Sequence, residues 1–175
     1  MRRLLLLRHA KAERVQPGGR DHDRVLAARG RADTKTLGAY LARHAFVPDR
    51  AVVSTAARTR ETWTLLAAAM GKTPPVSFDE RIYDASPETI LQVIKETGPE
   101  TGTLMVIGHN PGLQELAAML VASGDVEARE RLGREFPTSA LVVINFAAET
   151  WNGVHPRGGR LEHFITPEWL AAATD

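Results

Sequence analysis

The sequence predicts an α/β fold, a three-layer sandwich in which a mostly parallel central sheet is flanked by helices. Two observations predict it. Short apolar runs of strand length alternate with longer stretches in which apolar residues recur at helical spacing. Several of the short runs are continuously apolar, which is typical of strands that are covered on both faces of a parallel sheet. At 175 residues, we expect a single domain over residues 1–175.

The first half of the chain contains three predicted strands and three predicted helices. "LLLL" at 4–7 is the first strand, and a polar loop with a Pro-Gly-Gly break follows at 12–25. Ser86-Pro87 has the residue types of an N-cap and a first helical position. The other predicted elements of this half are strands at 51–54 and 76–78 and helices ending near His44, at 58–70 and at 86–97.

The second half predicts three more strands and two helices. The strand at 103–108 leads into a helix that begins at Asn110-Pro111 and continues to Val121, with its apolar residues on one face. The strands at 139–146 and 160–165 are joined by a glycine-rich connection, so we expect a pair near a sheet edge. A short helix at 167–174 closes the series.

The composition of the chain argues against several classes of function. The formal net charge is +1, which argues against a dedicated nucleic-acid binder. There is no cysteine, and therefore no disulfide, thiolate nucleophile or cysteine-ligated metal. The apolar run after "MRR" is too short for a secretion signal, and no run is long enough to span a membrane. We therefore expect a cytoplasmic protein that binds neither membranes nor nucleic acid.

Reactive side chains follow three of the predicted strands. Arg8 and His9 follow the first strand, Arg58 follows the second, and His109 follows "LMVIG". Because ligands bind beyond the carboxyl ends of parallel strands, we expect these four side chains to share one pocket. Neighbouring residues of a strand point to opposite faces, so the first strand must end or twist at Arg8 or His9. Glycine at 108 could give similar freedom before His109.

These residue types indicate a phosphoryl pocket. Arginine forks match phosphate oxygens and stay charged, and a helix that begins near Arg58 would direct its amides at the same anion. Histidine attacks phosphorus only through a free imidazole nitrogen. The nearby Arg8 and Arg58 should lower the pKa of His9 and keep the ring neutral, whereas a bound phosphate dianion would raise it.

Three segments carry a resemblance to a known family. "LLLRHAKAE", "VVSTAARTRETW" and "MVIGHNPGLQELA" resemble the signatures of the histidine phosphatase superfamily. The chain length and "HNPGLQ…FPTSAL" look most like its SixA group of phosphohistidine phosphatases. The resemblance covers nearly the whole chain and implies a phosphoglycerate mutase-like fold.

The resemblance also implies roles for the four side chains. His9 would be the nucleophile and form a phosphohistidine intermediate, while Arg8, Arg58 and His109 would hold the phosphoryl group. No metal or other cofactor is implied. Many members use a carboxylic acid to protonate the leaving group, and Asp84 in "DERIYDAS" falls at the matching position, with Glu80 as a second candidate.

Other polar residues are candidates for substrate contacts. "RDHD" at 20–23 could suggest a metal site, but it lacks a second ligand cluster, so we interpret it as a polar loop over the pocket. In that position Arg20 or Arg24 could contact substrate. Asn110, next to His109, is a further candidate. Thr138-Ser139, just before a strand, could donate to phosphate or cap a turn.

The sequence therefore predicts a metal-independent phosphatase acting on protein phosphohistidine or another accessible phosphoryl group. An imidazole leaves more readily than an alkoxide, so we expect a preference for P–N or other activated substrates. The alternatives are a phosphoglycerate mutase-type phosphotransferase, a small-molecule phosphomonoesterase acting on a sugar phosphate or nucleotide, and a non-catalytic phosphate-binding module. The mutase is disfavoured because no long insertion follows "DERIYDAS". Oligomeric state is left open.

Overall fold

The leucine run near the amino terminus forms the central strand of the sheet. The computed structural model describes residues 1–173, so the last residue of the predicted closing helix, Thr174, lies outside the described residues. The described strands are β1 (Arg2–Arg8), β2 (Arg50–Ser54), β3 (Val76–Asp79), β4 (Thr103–Gly108), β5 (Val121–Gly124), β6 (Leu141–Phe146) and β7 (Gly159–Ile165).

Six α-helices connect and flank these strands in the described part of the chain. They are α1 (Ala28–Arg43), α2 (Ala57–Met70), α3 (Pro87–Lys95), α4 (Gly112–Leu120), α5 (Val126–Arg134) and α6 (Pro167–Ala173). Short 3₁₀ turns lie at Asp21–Asp23, Glu80–Ile82 and Trp151–Gly153. None of the helices within residues 1–173 is both long and apolar enough to cross a membrane.

The strand order is β3-β2-β4-β1-β6-β7-β5. Strands β3, β2, β4 and β1 are mutually parallel, whereas β6 runs antiparallel to both β1 and β7. The predicted mostly parallel sheet is confirmed. As a consequence, the carboxyl ends of β1, β2 and β4 lie side by side at one edge of the sheet.

Alternate leucines of β1 pack into two separate cores. Leu4 and Leu6 face the layer formed by α3, α4 and α5, and Leu5 and Leu7 face the layer of α1, α2 and α6. All four are fully buried, at roughly 1.5–3 kcal/mol of transfer free energy each. This confirms the predicted three-layer sandwich and explains why the run is continuously apolar.

The region after α4 differs from the sequence prediction. The helix predicted to include Val121 ends at Leu120, and Val121 begins the edge strand β5. Neither β5 nor α5 was predicted, because β5 has only four residues and α5 buries only Ala128 and Leu132. The sequence does contain one indication of α5, the N-cap residue Asp125, whose side chain accepts a hydrogen bond from the Ala128 amide at 2.8 Å.

Candidate active site

A cleft of about 250 Å³ lies at the carboxyl ends of β1, β2 and β4. Its lining is strongly basic and, within the described residues, contains no carboxylate. The lining residues are Arg8, His9, Lys11, Ala12, Arg24, Arg58, His109, Asn110 and Thr138. The four residues that the sequence placed in one pocket therefore do meet.

The strand ends place the two histidines next to each other. Strand β1 ends at Arg8, and the His9 amide then donates to the Gly108 carbonyl at 3.1 Å. The His9 and His109 ring centroids are consequently 5.3 Å apart. The expected extra freedom of Gly108 is not used, since it is not among the glycines with positive φ. A Cβ there would instead lie 3.1 Å from the Ile82 side chain, so close packing accounts for the glycine.

The start of α2 delivers Arg58 to the same point. Arg58 is the second residue of this helix, and only 6% of its surface is exposed. The Thr62 hydroxyl donates to the Arg58 carbonyl at 2.7 Å and accepts from the Ala10 amide at 3.1 Å. One buried hydroxyl thus connects the helix to the segment that carries His9.

The Arg58 guanidinium lies between the two imidazoles. Its Nε donates to His9 Nε2 at 3.3 Å, and its Nη2 is 3.2 Å from His109 Nδ1. His9 Nδ1 lies 2.8 Å from the Ala10 carbonyl, which can only accept, so the ring proton is on Nδ1. The Nε2 atom of His9 therefore carries a lone pair that faces the guanidinium. Arg58 Nη2 can only donate, so His109 Nδ1 accepts, and its ring proton is on Nε2, which donates to the Ser54 hydroxyl at 2.7 Å.

Both imidazoles are held in the neutral form. Burial, together with Arg58 and Arg8, lowers the pKa of His9 to about 4, although the hydrogen bond to Ala10 acts in the opposite direction. Burial, His9 and Arg58 lower the pKa of His109 to about 3. The shift at His9 has the expected direction, but burial is a larger cause than the arginines. A neutral His9 is the state that a nucleophile requires.

Arg8 and Asn110 share an anchor on the opposite side of the cleft. Arg8 Nη1 and Asn110 Nδ2 both donate to the Phe136 carbonyl, at 3.0 and 2.9 Å. Burial and Arg58 lower the pKa of Arg8 from its usual value. Within the described residues, Arg8 Nε and the Ser139 hydroxyl are buried without a hydrogen-bond partner. Ser139 has a positive φ of 63°, and its amide donates to the Arg8 and His9 carbonyls.

The remaining predicted contacts separate into two groups. Arg24, Asn110 and Thr138 line the cleft, as does Lys11, which sequence reasoning did not single out. Arg20 and Ser139 are not among the lining residues. The Arg20 side chain is 75% exposed and pairs with Asp23 at 3.7 Å, so it points away from the cleft.

The two candidate acids lie outside the cleft. Asp84 and Glu80 are exposed, and neither is a lining residue. Asp84 has a positive φ of 52° in the loop between the Glu80–Ile82 turn and α3. Their role as leaving-group acids stays a prediction.

Sequence reasoning missed Asp21 as a partner of the site. Its carboxylate accepts from Arg58 Nη2 at 3.1 Å, from Arg24 Nη1 at 3.1 Å and from the Tyr83 hydroxyl at 2.6 Å. These bonds, the one from Tyr83 foremost, hold the pKa of Asp21 well below its usual value. The "RDHD" loop thus contacts the pocket through Asp21. The available signal was this loop itself, which the sequence placed over the pocket.

The described residues also contain no group of three or more histidines and carboxylates arranged to hold a metal ion. The acidic residue nearest the cationic cluster, Asp21, is already used by two arginines and a tyrosine. The cleft offers cations to an anionic ligand, and this donor set suits an oxyanion rather than a metal.

The chain is similar to known proteins over most of its length. Residues 4–89 match the family model described as "Histidine phosphatase superfamily (branch 1)". An uncharacterized protein of Mycobacterium tuberculosis is 35% identical over 164 residues, which cover 92% of this chain and 99% of that protein.

Solved structures extend the match. The "putative phosphohistidine phosphatase SixA" of Agrobacterium tumefaciens is 33% identical, with a TM-score of 0.79 over 95% of this chain and 98% of that chain. The corresponding Nakamurella multipartitia protein is 28% identical, with a TM-score of 0.82 over 95% and 96%. Sequence, fold and matched length agree, and the chain belongs to the histidine phosphatase superfamily, in its SixA-type group.

Proposed function

We propose that this chain is a metal-independent phosphatase that removes phosphoryl groups from protein phosphohistidine through a covalent intermediate on His9. The observation that carries the proposal is the unprotonated Nε2 atom of a neutral, buried His9. This atom accepts a hydrogen bond from Arg58 Nε at 3.3 Å, and Arg58 Nε can donate to a phosphoryl oxygen instead. Arg8, Arg24, Arg58 and Lys11 supply positive charge in the lining.

The chemistry proceeds in two displacements. The Nε2 lone pair of His9 attacks phosphorus, and the P–N bond of the substrate breaks. Its electron pair goes to the leaving imidazole, which takes a proton from water and leaves hydroxide. Water then attacks the phosphohistidine, and His9 leaves with the P–N electron pair. This releases inorganic phosphate, and one proton of the attacking water neutralises the hydroxide. Throughout, His9 Nδ1 keeps its proton, and its hydrogen bond to the Ala10 carbonyl fixes the orientation of the ring.

The absence of a carboxylate from the described lining supports a P–N substrate. An ester needs a proton donor for its alkoxide, whereas an imidazole leaves with less help. Arg8, Arg58 and the two histidines stabilise charge on the phosphoryl oxygens but place no acid at the leaving group. This distribution of charge favours substrates that carry an activated leaving group.

The surroundings of the cleft support a protein substrate. The cleft shares Lys11 and Thr138 with a second depression of about 270 Å³, formed with α1 and α6. That depression shares Glu135, Thr166 and Glu168 with a third of about 560 Å³ along α5 and β7. The groove so formed leads away from the cleft and has room for polypeptide on that side of a phosphorylated side chain.

A substrate panel tests the proposal. We expect a phosphohistidine peptide to be hydrolysed faster than sugar phosphates, nucleotides, phosphoglycerates or an alkyl phosphate, and EDTA to leave the rate unchanged. His9→Ala should lower the rate about a thousandfold or more. The matched control is His155→Ala, because His155 is exposed and its ring lies against the main-chain carbonyl of its neighbour Pro156.

The other outcomes separate the alternatives. Faster turnover of a sugar phosphate or nucleotide would favour a small-molecule phosphomonoesterase, and transfer between phosphoglycerates would favour a mutase. The short connection from the Glu80–Ile82 turn to Pro87 provides little chain to enclose a mutase intermediate. Phosphate binding with no hydrolysis in either the wild type or His9→Ala would indicate a non-catalytic module.

A further inference from the structure

Asp21 lies on the side of Arg58 that faces away from the two histidines, where it joins its own loop to α2 and to the segment of Tyr83. It lies in the 3₁₀ turn Asp21–Asp23, and its main-chain carbonyl accepts from Arg58 Nη1 at 2.9 Å. Its carboxylate accepts from Arg58 Nη2, from Arg24 Nη1 and from Tyr83. Asp21 therefore binds Arg24 and Arg58, two of the three arginines that line the cleft, although it does not line the cleft itself.

The hydrogen bonds of Arg58 divide between two sides. Its Nε and one Nη2 hydrogen face His9 and His109, whereas Nη1 and the second Nη2 hydrogen face Asp21. The His9 Nε2 lone pair is released for attack only when Arg58 Nε turns its hydrogen bond to a phosphoryl oxygen. During that exchange, the two bonds to Asp21 continue to hold the guanidinium.

We propose that Asp21 is a positioning residue that anchors Arg58 from behind while its front bonds change from the histidines to the phosphoryl group, and that its charge weakens the hold of the cleft on inorganic phosphate so that product leaves. The inference rests on the proposed function. It adds to the proposed function a residue that neither contacts His9 nor lines the cleft itself.

The charge argument follows from the composition of the cleft. Arg8, Lys11, Arg24 and Arg58 surround the ligand site, and the described lining contains no carboxylate to oppose them. The Asp21 carboxylate is 46% exposed and pairs with two of these four cations. Replacing it with an amide of the same shape would remove one negative charge beside the cleft and strengthen the attraction of the cleft for a dianion.

The test is Asp21→Asn, compared with wild type in turnover and in oxyanion affinity. We expect kcat for a phosphohistidine peptide to fall about 10- to 100-fold, because Arg58 loses its fixed orientation. The inhibition constant for inorganic phosphate should fall about 5-fold, because the cleft becomes more positive. A merely structural role would weaken phosphate binding together with kcat.

Two further variants complete the design. Asp23→Asn is the matched control from the same turn, because the Asp23 carboxylate pairs with Arg20 and His22 and with no arginine of the described cleft. Both constants should stay within about twofold of wild type. Tyr83→Phe removes one bond to the Asp21 carboxylate without changing its charge. It should lower kcat by less than Asp21→Asn does and leave the phosphate constant within about twofold.

Binding is also measured by calorimetry with phosphate and vanadate, which needs no turnover. If wild type binds these anions but hydrolyses no substrate, the proposed function fails, while the affinity ratio between wild type and Asp21→Asn still tests the charge role. Unchanged kcat, or phosphate affinity in Asp21→Asn that is equal to or weaker than that of wild type, would overturn the inference.

Discussion

The buried base of the cleft and its exposed rim are built in different ways. The base consists of His9, Arg58 and His109, all at most 8% exposed, and strand ends and a helix start set their positions. The rim includes Lys11 and Arg24, which come from loop segments and are held by side-chain contacts such as Arg24 with Asp21. The comparison teaches that main-chain geometry at the strand ends and at the start of α2 places the buried groups, whereas side-chain contacts such as that with Asp21 place Arg24 at the rim.

The largest expected effect comes from the base. Arg58→Lys keeps the positive charge but removes the fork that reaches His9, His109 and Asp21 together. We expect kcat/KM for a phosphohistidine peptide to fall about 100-fold, the scale of losing one preorganised donor in a water-excluded site. Steady-state kinetics check this. Arg20→Lys is the control, since Arg20 is exposed outside the cleft. If kcat/KM of Arg58→Lys fell by less than tenfold, the base would not differ from the rim in its importance for catalysis.

The second prediction concerns the charge state of the base. Because the pKa of His9 is lowered to about 4, its imidazole should be about 10% protonated at pH 5, whereas an ordinary imidazole would be almost fully protonated. Nitrogen-15 NMR titration of the ligand-free protein measures this directly. His9 and His109 interact, so the pair is read as two apparent pKa values.

The same shifts make stability depend on pH in a defined direction. Both pKa values are lower in the folded protein than the unfolded value of about 6.5. Between about pH 6.5 and 4 the unfolded chain binds more protons at these sites. The contribution of the two neutral histidines to the free energy of unfolding is therefore fully present above about pH 6.5. It is lost as the pH falls towards the pKa values of the folded protein. Urea unfolding across this range should show a steeper pH dependence in wild type than in His9→Asn, and equal slopes would contradict a neutral buried His9.

The smallest effect is expected outside the cleft. Asp84→Asn and Glu80→Gln should change turnover of a phosphohistidine peptide by less than about threefold, because both carboxylates are exposed and absent from the lining. Turnover of an alkyl phosphate by the same variants provides the comparison. A tenfold loss with the phosphohistidine peptide would show that one of the two acids reaches the leaving group in the complex.

The sequence predicts the base better than the rim for a physical reason. His9, Arg58 and His109 directly follow strong apolar strands, and parallel strand ends must meet at one edge. Asp21 lies in a polar loop whose position depends on contacts with Arg58 and Tyr83, far away in the chain. The local pattern indicates a polar loop over the pocket, but it does not indicate which side chains Asp21 contacts.

The fold shows the same division. The parallel strands and their helices were predicted because apolar periodicity is a local signal. The edge strand β5 and helix α5 were missed because their burial is small: the nine residues of α5 bury only two side chains. Ser139 was predicted as a phosphate contact, yet its left-handed conformation turns the chain into β6 and leaves it outside the lining.

The central claim is tested most directly by trapping the enzyme during turnover of a phosphohistidine peptide with a radioactive phosphoryl group. The account predicts at most one label per chain, on Nε2 of His9, stable in alkali, lost in acid and identifiable by phosphorus NMR. The Nδ1 proton held by Ala10 is what directs the phosphoryl group to Nε2. Rapid hydrolysis with no label on His9, or label on Nδ1 or on His109, would contradict it.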